Sequence, residues 1–261
     1  MLKDLYVNRA LIWDLSKNDF KTKYANSYLG IIWAFIQPII TLLIYWVVFQ
    51  YGLKIGTPTE GVPYILWFTT GMVPWFFFSE AISAGVNCLM EYNYLVKKLV
   101  FNVAIIPIIK VISTFFVHLV FIGFMLLIYS FYGRLFTINY LLLAYYLVAL
   151  LVLVVGLDFL ISATVVFFRD FGQIVNIILQ IGMWATPILW NYQIIPEKFL
   201  WIMKLNPLFY IVEGYRSAFL NEMQNNFLSS QTIIFWIICL SMLAIGMKVF
   251  NKMKPHFADV L

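Results

Sequence analysis

Apolar residues run along most of this chain in long stretches that charged positions rarely interrupt. A helix needs about 20 apolar residues to cross the hydrocarbon core of a bilayer. Six stretches reach or approach that length: residues 29–51, 63–87, 103–131, 138–168, 172–190 and 231–250. The pattern therefore predicts an all-α membrane protein with six transmembrane helices.

The N-terminal segment is too polar to cross a bilayer. As a helix, residues 2–24 place an apolar stripe and one lysine on one face: Leu2, Tyr6, Ala10, Trp13, Lys17, Phe20 and Tyr24. An amphipathic helix at the membrane surface fits this pattern, with the Lys17 ammonium reaching toward water. A partner-binding or solvated arm is the alternative. We take residues 1–28 as this interfacial helix and residues 29–261 as the six-span domain.

A second segment that does not fit the pattern of spans lies between the fifth and sixth spans, at residues 191–230. Its apolar pieces are too short to cross and are punctuated by Pro196, Pro207 and Gly214. Irregular backbone at membrane depth is tolerated where protein or a water-filled path surrounds it. This segment is predicted to form two short re-entrant or interfacial helices on the outer side.

The composition supports a membrane location. Of 261 residues, 63% are hydrophobic and 11% are charged, whereas soluble domains are about half apolar and a quarter charged. The net charge of +5 does not indicate nucleic-acid binding, because the basic residues are dispersed toward the ends of apolar stretches. Twelve of the 17 lysines and arginines fall on one side of the six-span topology. The positive-inside rule then predicts that both termini are cytoplasmic, and that the loops around Glu60, Gly133 and Asn225 face outward.

Motifs of catalysis are missing from the sequence. It contains no GxxxxGK[ST] phosphate loop and no GxSxG elbow. His118 and His256 lack neighbours with metal-ligand spacing, so we expect no metal site, no cofactor and no enzyme activity in this chain. Cys88 and Cys239 are interpreted as buried thiols, and a disulfide between them stays open.

Ionisable residues inside predicted spans raise the possibility of transport. Asp158 and Glu80 could serve an ion-coupled carrier, or Asp158 could simply fix helix packing. Lys110 is expected to extend toward the cytoplasm, and His118 to be a hydrogen-bonded core residue.

Aromatic residues make up 19% of the chain, and several lie within spans rather than at the membrane surface. Aromatic rings can pack on the C–H faces of sugars. Tyr45 and Phe49 share a face of span one, and Trp184 lies near the end of span five. We predict that they line a substrate path; lipid-facing packing is the alternative.

A polar island, EYNYLVKK at residues 91–98, interrupts the apolar pattern between spans two and three. If the chain transports a substrate, it has to receive work from another protein because it lacks a phosphate loop, and such an island is a suitable contact. An ordinary basic loop is the alternative.

The order of motifs resembles that of the membrane subunits of bacterial ATP-binding-cassette exporters of polysaccharides, which handle O-antigen, teichoic acid or capsule. The resemblance begins with Tyr28-Leu29-Gly30 and Gln37-Pro38 and continues through GMVPWFFF at 71–78 and LVKKLVF at 95–101. It ends with a set spread over the second half of the chain: Arg169-Asp170, Thr186-Pro187, Asn206-Pro207 and Arg216.

This resemblance implies a homodimeric permease of the bacterial inner membrane that works with two copies of a separate ATPase. The partner would bind ATP and Mg²⁺, and the substrate would be a lipid-linked polysaccharide moving between the protomers along spans one and five. It also implies that the ATPase docks near the polar island, with these candidate contacts: Glu91, Tyr92, Lys97, Lys98, Arg169 and Asp170.

Overall fold

Helices form the whole framework. The computed structural model describes residues 7–25, 28–54, 56, 61–98, 101–220 and 230–261, and within those ranges it contains no β-strand. This confirms the all-α prediction. Several positions with a predicted place lie outside the described residues: Leu2, Tyr6, Glu60, Leu99 and Asn225, with the rest of 221–229.

Eleven α-helices follow one another in the described part of the chain. They are α1 (Arg9–Lys23), α2 (Trp33–Val47), α3 (Tyr64–Glu91), α4 (Asn93–Val96), α5 (Ile105–Phe131), α6 (Tyr140–Phe167), α7 (Phe171–Ala185), α8 (Leu200–Leu205), α9 (Pro207–Leu220), α10 (Ser230–Met253) and α11 (Phe257–Val260).

Five helical stretches are long and apolar enough to cross a membrane: Gly30–Gly52, Tyr64–Glu91, Ile105–Phe131, Tyr140–Phe167 and Ser230–Val260. The first consists of α2 with a 3-10 turn before it and a π turn after it. These five coincide with predicted spans one to four and six. The chain is therefore a multi-pass membrane protein.

The predicted fifth span, residues 172–190, is shorter in the structure. Helix α7 has 15 residues, which gives about 22 Å at 1.5 Å per residue, less than the ~30 Å of a bilayer core. It ends at Ala185 because Thr186 precedes Pro187, and the proline ring disfavours helical backbone at the preceding residue. Thr186 accordingly adopts extended backbone, with φ −88° and ψ 134°.

Helix α3 is the centre of the bundle. In its most apolar 18-residue stretch 78% of the residues are buried, against 11% for the first span. Helices α5, α6, α7 and α9 all pack on α3, and α10 packs along α6. Span one thus lies at the periphery with much of its apolar surface uncovered.

Two short α-helices, α8 and α9, lie within the described part of the segment 191–230. Helix α9 is largely buried and packs on α3 and α6, whereas α8 is mostly exposed. Asn206 starts α9, because its side-chain oxygen accepts a hydrogen bond from the Leu208 amide at 3.0 Å.

The segments predicted to face the cytoplasm lie at one end of the bundle. The Tyr92 hydroxyl, just before α4, bonds to Asp19 of α1 at 2.8 Å. Lys254, near the C-terminus, donates to the Asn102 side chain at 3.1 Å. Phe257 packs with Phe167, the last residue of α6, which places the α6–α7 turn at the same end.

The N-terminal helix rests on α5 with a face next to the predicted one. Its most buried residues are Ile12, Ser16 and Asp19, and Ile12 joins Ile105 and Ile109 in an apolar cluster. Trp13, from the predicted stripe, makes an edge contact with Phe116 at 5.2 Å. The packed face is shifted because Asp19, a polar residue, has its ionic partner on α5.

Candidate functional site

A cleft opens between α1 and the parts of α2, α3 and α5 that face it. It comprises two adjoining cavities, of about 330 and 450 Å³, which share Lys23, Glu80, Ser113 and Thr114 on their walls. We call this space the α1 cleft. It lies toward the end of the bundle that carries α4 and the C-terminus.

The smaller cavity has a mixed lining of rings and hydrogen-bonding groups. Rings of Trp33, Phe76 and Phe121 surround it, and Gln37 and Thr41 of α2 present an amide and a hydroxyl. His118 also lines it. The His118 Nε2 atom lies 2.9 Å from the Tyr215 hydroxyl, and such a partnered, buried ring agrees with the prediction of a core histidine.

The larger cavity is bordered by charged groups. Lys110 Nζ lies 2.7 Å from Asp19 Oδ1 and 2.6 Å from Glu91 Oε2. Lys110 and Asp19 are 8% and 6% exposed. Lys110 thus extends toward the end of the bundle that carries Glu91, and two carboxylates within 3 Å hold its ammonium inside the protein.

A second ion pair closes the other side of the cleft. Lys23, at the end of α1, pairs with Glu80 of α3. Burial lowers the pKa of Lys23, but the Glu80 carboxylate outweighs that effect and leaves the pKa above its usual value. Lys23 is therefore charged at neutral pH.

The predicted docking residues fall into two groups. Lys97, Lys98, Arg169 and Asp170 are exposed at the same end of the bundle. Glu91 is held by Lys110, and the Tyr92 hydroxyl donates to Asp19.

Apolar packing fixes the inner side of α4 to the bundle. Val96 is buried in an apolar cluster with Val103, Phe250 and Phe257. Burial, followed by the bond and charge of Asp19, raises the pKa of Tyr92, so its hydroxyl stays a donor. The exposed lysines thus extend from a turn that is fixed on its inner side.

The three aromatic candidates for a substrate path differ in exposure. Phe49 is 9% exposed and belongs to the apolar core, and its ring meets the half-buried Tyr45 edge-on at 6.3 Å. Trp184 is 59% exposed. It continues an apolar stripe on the outer face of α7 formed by Ile174, Ile177 and Ile181.

The two carboxylates considered for ion coupling lie in different surroundings. Glu80 lines both cavities and pairs with Lys23. Asp158 is fully buried on α6 against α3, where a Cβ at Gly85 would come within 2.3 Å of its carboxylate. Asp158 lines neither cavity, and its close fit against a glycine supports the packing interpretation.

Arg216 organises a cluster that sequence reasoning did not identify. Its guanidinium donates to the carbonyl oxygens of Pro187 and Ile188 at 2.8 and 2.9 Å. It also pairs with Glu213 at 2.6 Å and lies 3.7 Å from the centre of the Trp67 ring.

Several motifs that carried the resemblance meet in this cluster. A Cβ at Gly71 would come 2.9 Å from Arg216 Nη2, and the Asn206 side-chain amide donates to Thr186 Oγ1 at 2.9 Å. The apolar residues around Arg216 in the sequence could have indicated its burial. The buried Asp19, by contrast, has polar sequence neighbours that gave no such indication.

Comparison with known proteins assigns this chain to a family. Residues 10–220 match the ABC-2 type transporter family. The chain is 27% identical to the O-antigen export system permease protein RfbA of Klebsiella pneumoniae over 95% of this chain and 93% of the relative. It is 25% identical to RfbA of Myxococcus xanthus over 84% of both, and 24% identical to the polysialic acid transport protein KpsM of Escherichia coli over 81% and 82%. A transport subunit, rather than an enzyme, is thereby confirmed, and the chain belongs to the ABC-2 type transporter family.

Proposed function

We propose that this chain is the permease subunit of an ATP-driven exporter that moves a lipid-linked polysaccharide across the bacterial inner membrane. The observation that carries the proposal is the similarity to export permeases along nearly the whole chain. The substrate is a long surface glycan of the O-antigen or capsule class, as the names of the relatives suggest; teichoic acid is a further member of the class implied by the motif order.

A separate cassette ATPase supplies the energy, since the sequence has no phosphate loop. ATP and Mg²⁺ bind to that partner. The ATPase docks on the end of the bundle where Lys97, Lys98, Arg169 and Asp170 are exposed. A fixed turn with exposed charges suits this role, because a mobile turn would absorb the displacement it has to pass on.

Both termini are cytoplasmic in this proposal. Segments rich in lysine and arginine gather at one end of the bundle, and the positive-inside rule assigns that end to the cytoplasm. The fifth of the six spans is α7 together with the chain after Ala185. Helices α8 and α9 then form a re-entrant segment on the outer side, with α9 buried between α3 and α6.

The working unit is a homodimer with two ATPase subunits. Span one and the α7 stripe leave apolar faces uncovered in one protomer. A second copy covers part of these faces, and the polysaccharide passes between the protomers. Trp184 and Tyr45 then contribute rings along the path, and Phe49 supports Tyr45 from the core.

The test is export by the chain reconstituted with a cassette ATPase subunit from the same organism. ATP-dependent appearance of glycan on the outer face, absent when the ATPase is omitted, supports the proposal. Glycan movement driven by an ion gradient without the ATPase would favour the ion-coupled carrier instead.

Docking is tested by reversing two charges together, Lys97→Glu with Lys98→Glu. We expect ATP hydrolysis by the assembled complex to fall several-fold while the permease stays folded. Exposed ion pairs contribute only about 0–1 kcal/mol each, so a single reversal is expected to do little. The matched control reverses two exposed lysines elsewhere, Lys198→Glu with Lys204→Glu, and should leave hydrolysis unchanged. Equal hydrolysis in both double variants would contradict the docking assignment.

A further inference from the structure

The buried ammonium of Lys110 joins three segments of the chain. It contacts Asp19 of α1 at 2.7 Å and Glu91, the last residue of α3, at 2.6 Å. The Tyr92 hydroxyl, in the turn that leads into α4, donates to the same Asp19 oxygen at 2.8 Å. Helices α1 and α4 are therefore linked through one group of polar contacts.

A second contact holds the far end of α1. Lys23 pairs with Glu80, which precedes Glu91 by 11 residues, or about 16 Å along α3. The α1 cleft lies between these two attachments, and its larger cavity is lined by residues of both. A displacement of α1 relative to α3 must therefore change the shape of the cleft.

The two attachments differ in stiffness. Lys23 and Glu80 have side chains 38% and 50% exposed, so water can replace their contact. The Lys110 and Asp19 side chains are 11% and 8% exposed, and water has little access to them. A buried pair separates only at the cost of leaving a desolvated charge, so it moves as a unit.

We propose that Lys110 is a positioning residue for transport, which couples displacement of α4 by the ATPase to movement of α1 and so to the shape of the α1 cleft. The inference rests on the proposed function, because it requires an ATPase acting on α4.

Other contacts already hold α1 on the bundle. Ile12 packs with Ile105 and Ile109, and the Trp13 and Phe20 rings meet Phe116 at 5.2 and 6.0 Å. Loss of the Lys110 charge should leave these contacts in place. The variant should therefore keep α1 on α5 and lose the ionic bridge from Asp19 to Glu91, the residue before the turn into α4, so that the Tyr92 bond alone joins α1 to that turn.

The experiment uses the full complex of permease and ATPase in lipid vesicles and measures glycan exported per ATP hydrolysed. Lys110→Met removes the charge and keeps the length of the chain, and Asp19→Asn keeps an acceptor for the Tyr92 hydroxyl. We expect Lys110→Met to lower the ratio about tenfold and Asp19→Asn several-fold, with ATP hydrolysis retained. The double variant should be no worse than Lys110→Met, because both changes remove the same link. Lys110→Arg should restore most of the ratio.

The control is Lys252→Met, an exposed lysine of α10 at the same end of the bundle, and it should leave the ratio unchanged. A structural role alone would lower the amount of folded complex and leave the ratio intact, so the ratio is taken on folded complex. If Lys110→Met yields too little folded protein for the ratio to be measured, the ratio of the Asp19→Asn variant tests the inference instead. An unchanged ratio in the variants, with export by the wild type, overturns the inference alone. A wild-type complex that exports no glycan overturns the proposed function as well.

Discussion

Replacement of Arg216 by methionine should loosen the junction between α7 and α9. The guanidinium holds the chain just after α7 through the carbonyl oxygens of Pro187 and Ile188. Methionine has a similar length and no charge, so it fills much of the space and removes every polar contact. The substitution therefore tests the polar contacts more than the volume.

The expected magnitude follows from what the substitution leaves behind. Arg216 is 3% exposed, and its loss would remove the 2.6 Å ionic contact with Glu213, whose side chain is 25% exposed. Removal of one member of a buried ion pair costs about 3–5 kcal/mol. Loss of the contact with the Trp67 ring adds up to ~2 kcal/mol, and relaxation of the two carbonyl groups offsets part of this. We expect the free energy of unfolding to fall by about 3–5 kcal/mol.

Thermal unfolding of the purified permease in detergent measures this loss. A fall of that size corresponds to a drop in Tm on the order of 10 °C for a chain of this length. Arg216→Lys should lie between methionine and wild type, because one ammonium cannot reach both carbonyl groups and stack on the indole together.

The control is Arg134→Met. Arg134 donates to the Gly61 carbonyl at 2.6 Å at the surface, and its loss should cost about 1 kcal/mol. If Arg216→Met and Arg134→Met unfold at the same temperature, Arg216 does not hold the α7–α9 junction in the way described.

Two other predictions concern helix contact and the substrate path. Gly246→Ala should destabilise the fold by at least about 1–3 kcal/mol in the same unfolding assay, because the new Cβ would lie 2.3 Å from the Gly156 carbonyl oxygen. The control Gly123→Ala meets open space and should be neutral. Trp184→Ala and Tyr45→Ala should lower surface glycan more than permease abundance if the rings face the path. Export that falls only in proportion to abundance in both variants would assign these rings to packing.

The length of the apolar stretches predicted the long helices well, since each bilayer-crossing helix must satisfy its own backbone hydrogen bonds and bury a long apolar run. The ends of spans two to four were predicted to within a few residues. Span five was the exception. Its apolar run continues to Trp190, but Pro187 ends the helix at Ala185. Hydropathy does not register this, because proline changes the backbone without making the segment polar.

Charged partners were harder to predict than helices. Asp19 lies 91 residues before Lys110, and Lys23 lies 57 residues before Glu80. A sequence pattern reports neighbours on one helix, whereas these pairs depend on where α1 crosses α3 and α5. The shift of the packed face of α1 has the same origin, since Asp19 turns toward Lys110 rather than toward water.

The ionisable residues within the bundle now divide by what they contact. Arg216 and Asp158 lie inside helix junctions, where a glycine, Gly71 or Gly85, makes room for each. Lys110 and Glu80 instead face the α1 cleft, and each has an ionic partner on α1, which lies outside the spans. Charges of the first kind can only hold the bundle together. The charges that face the α1 cleft lie where α1 and the spans can move relative to each other. A charge within a span therefore indicates a moving part only when its partner lies on a segment outside the spans. By that criterion the proposed coupling assigns movement to α1 and makes α3 the frame against which α1 would move.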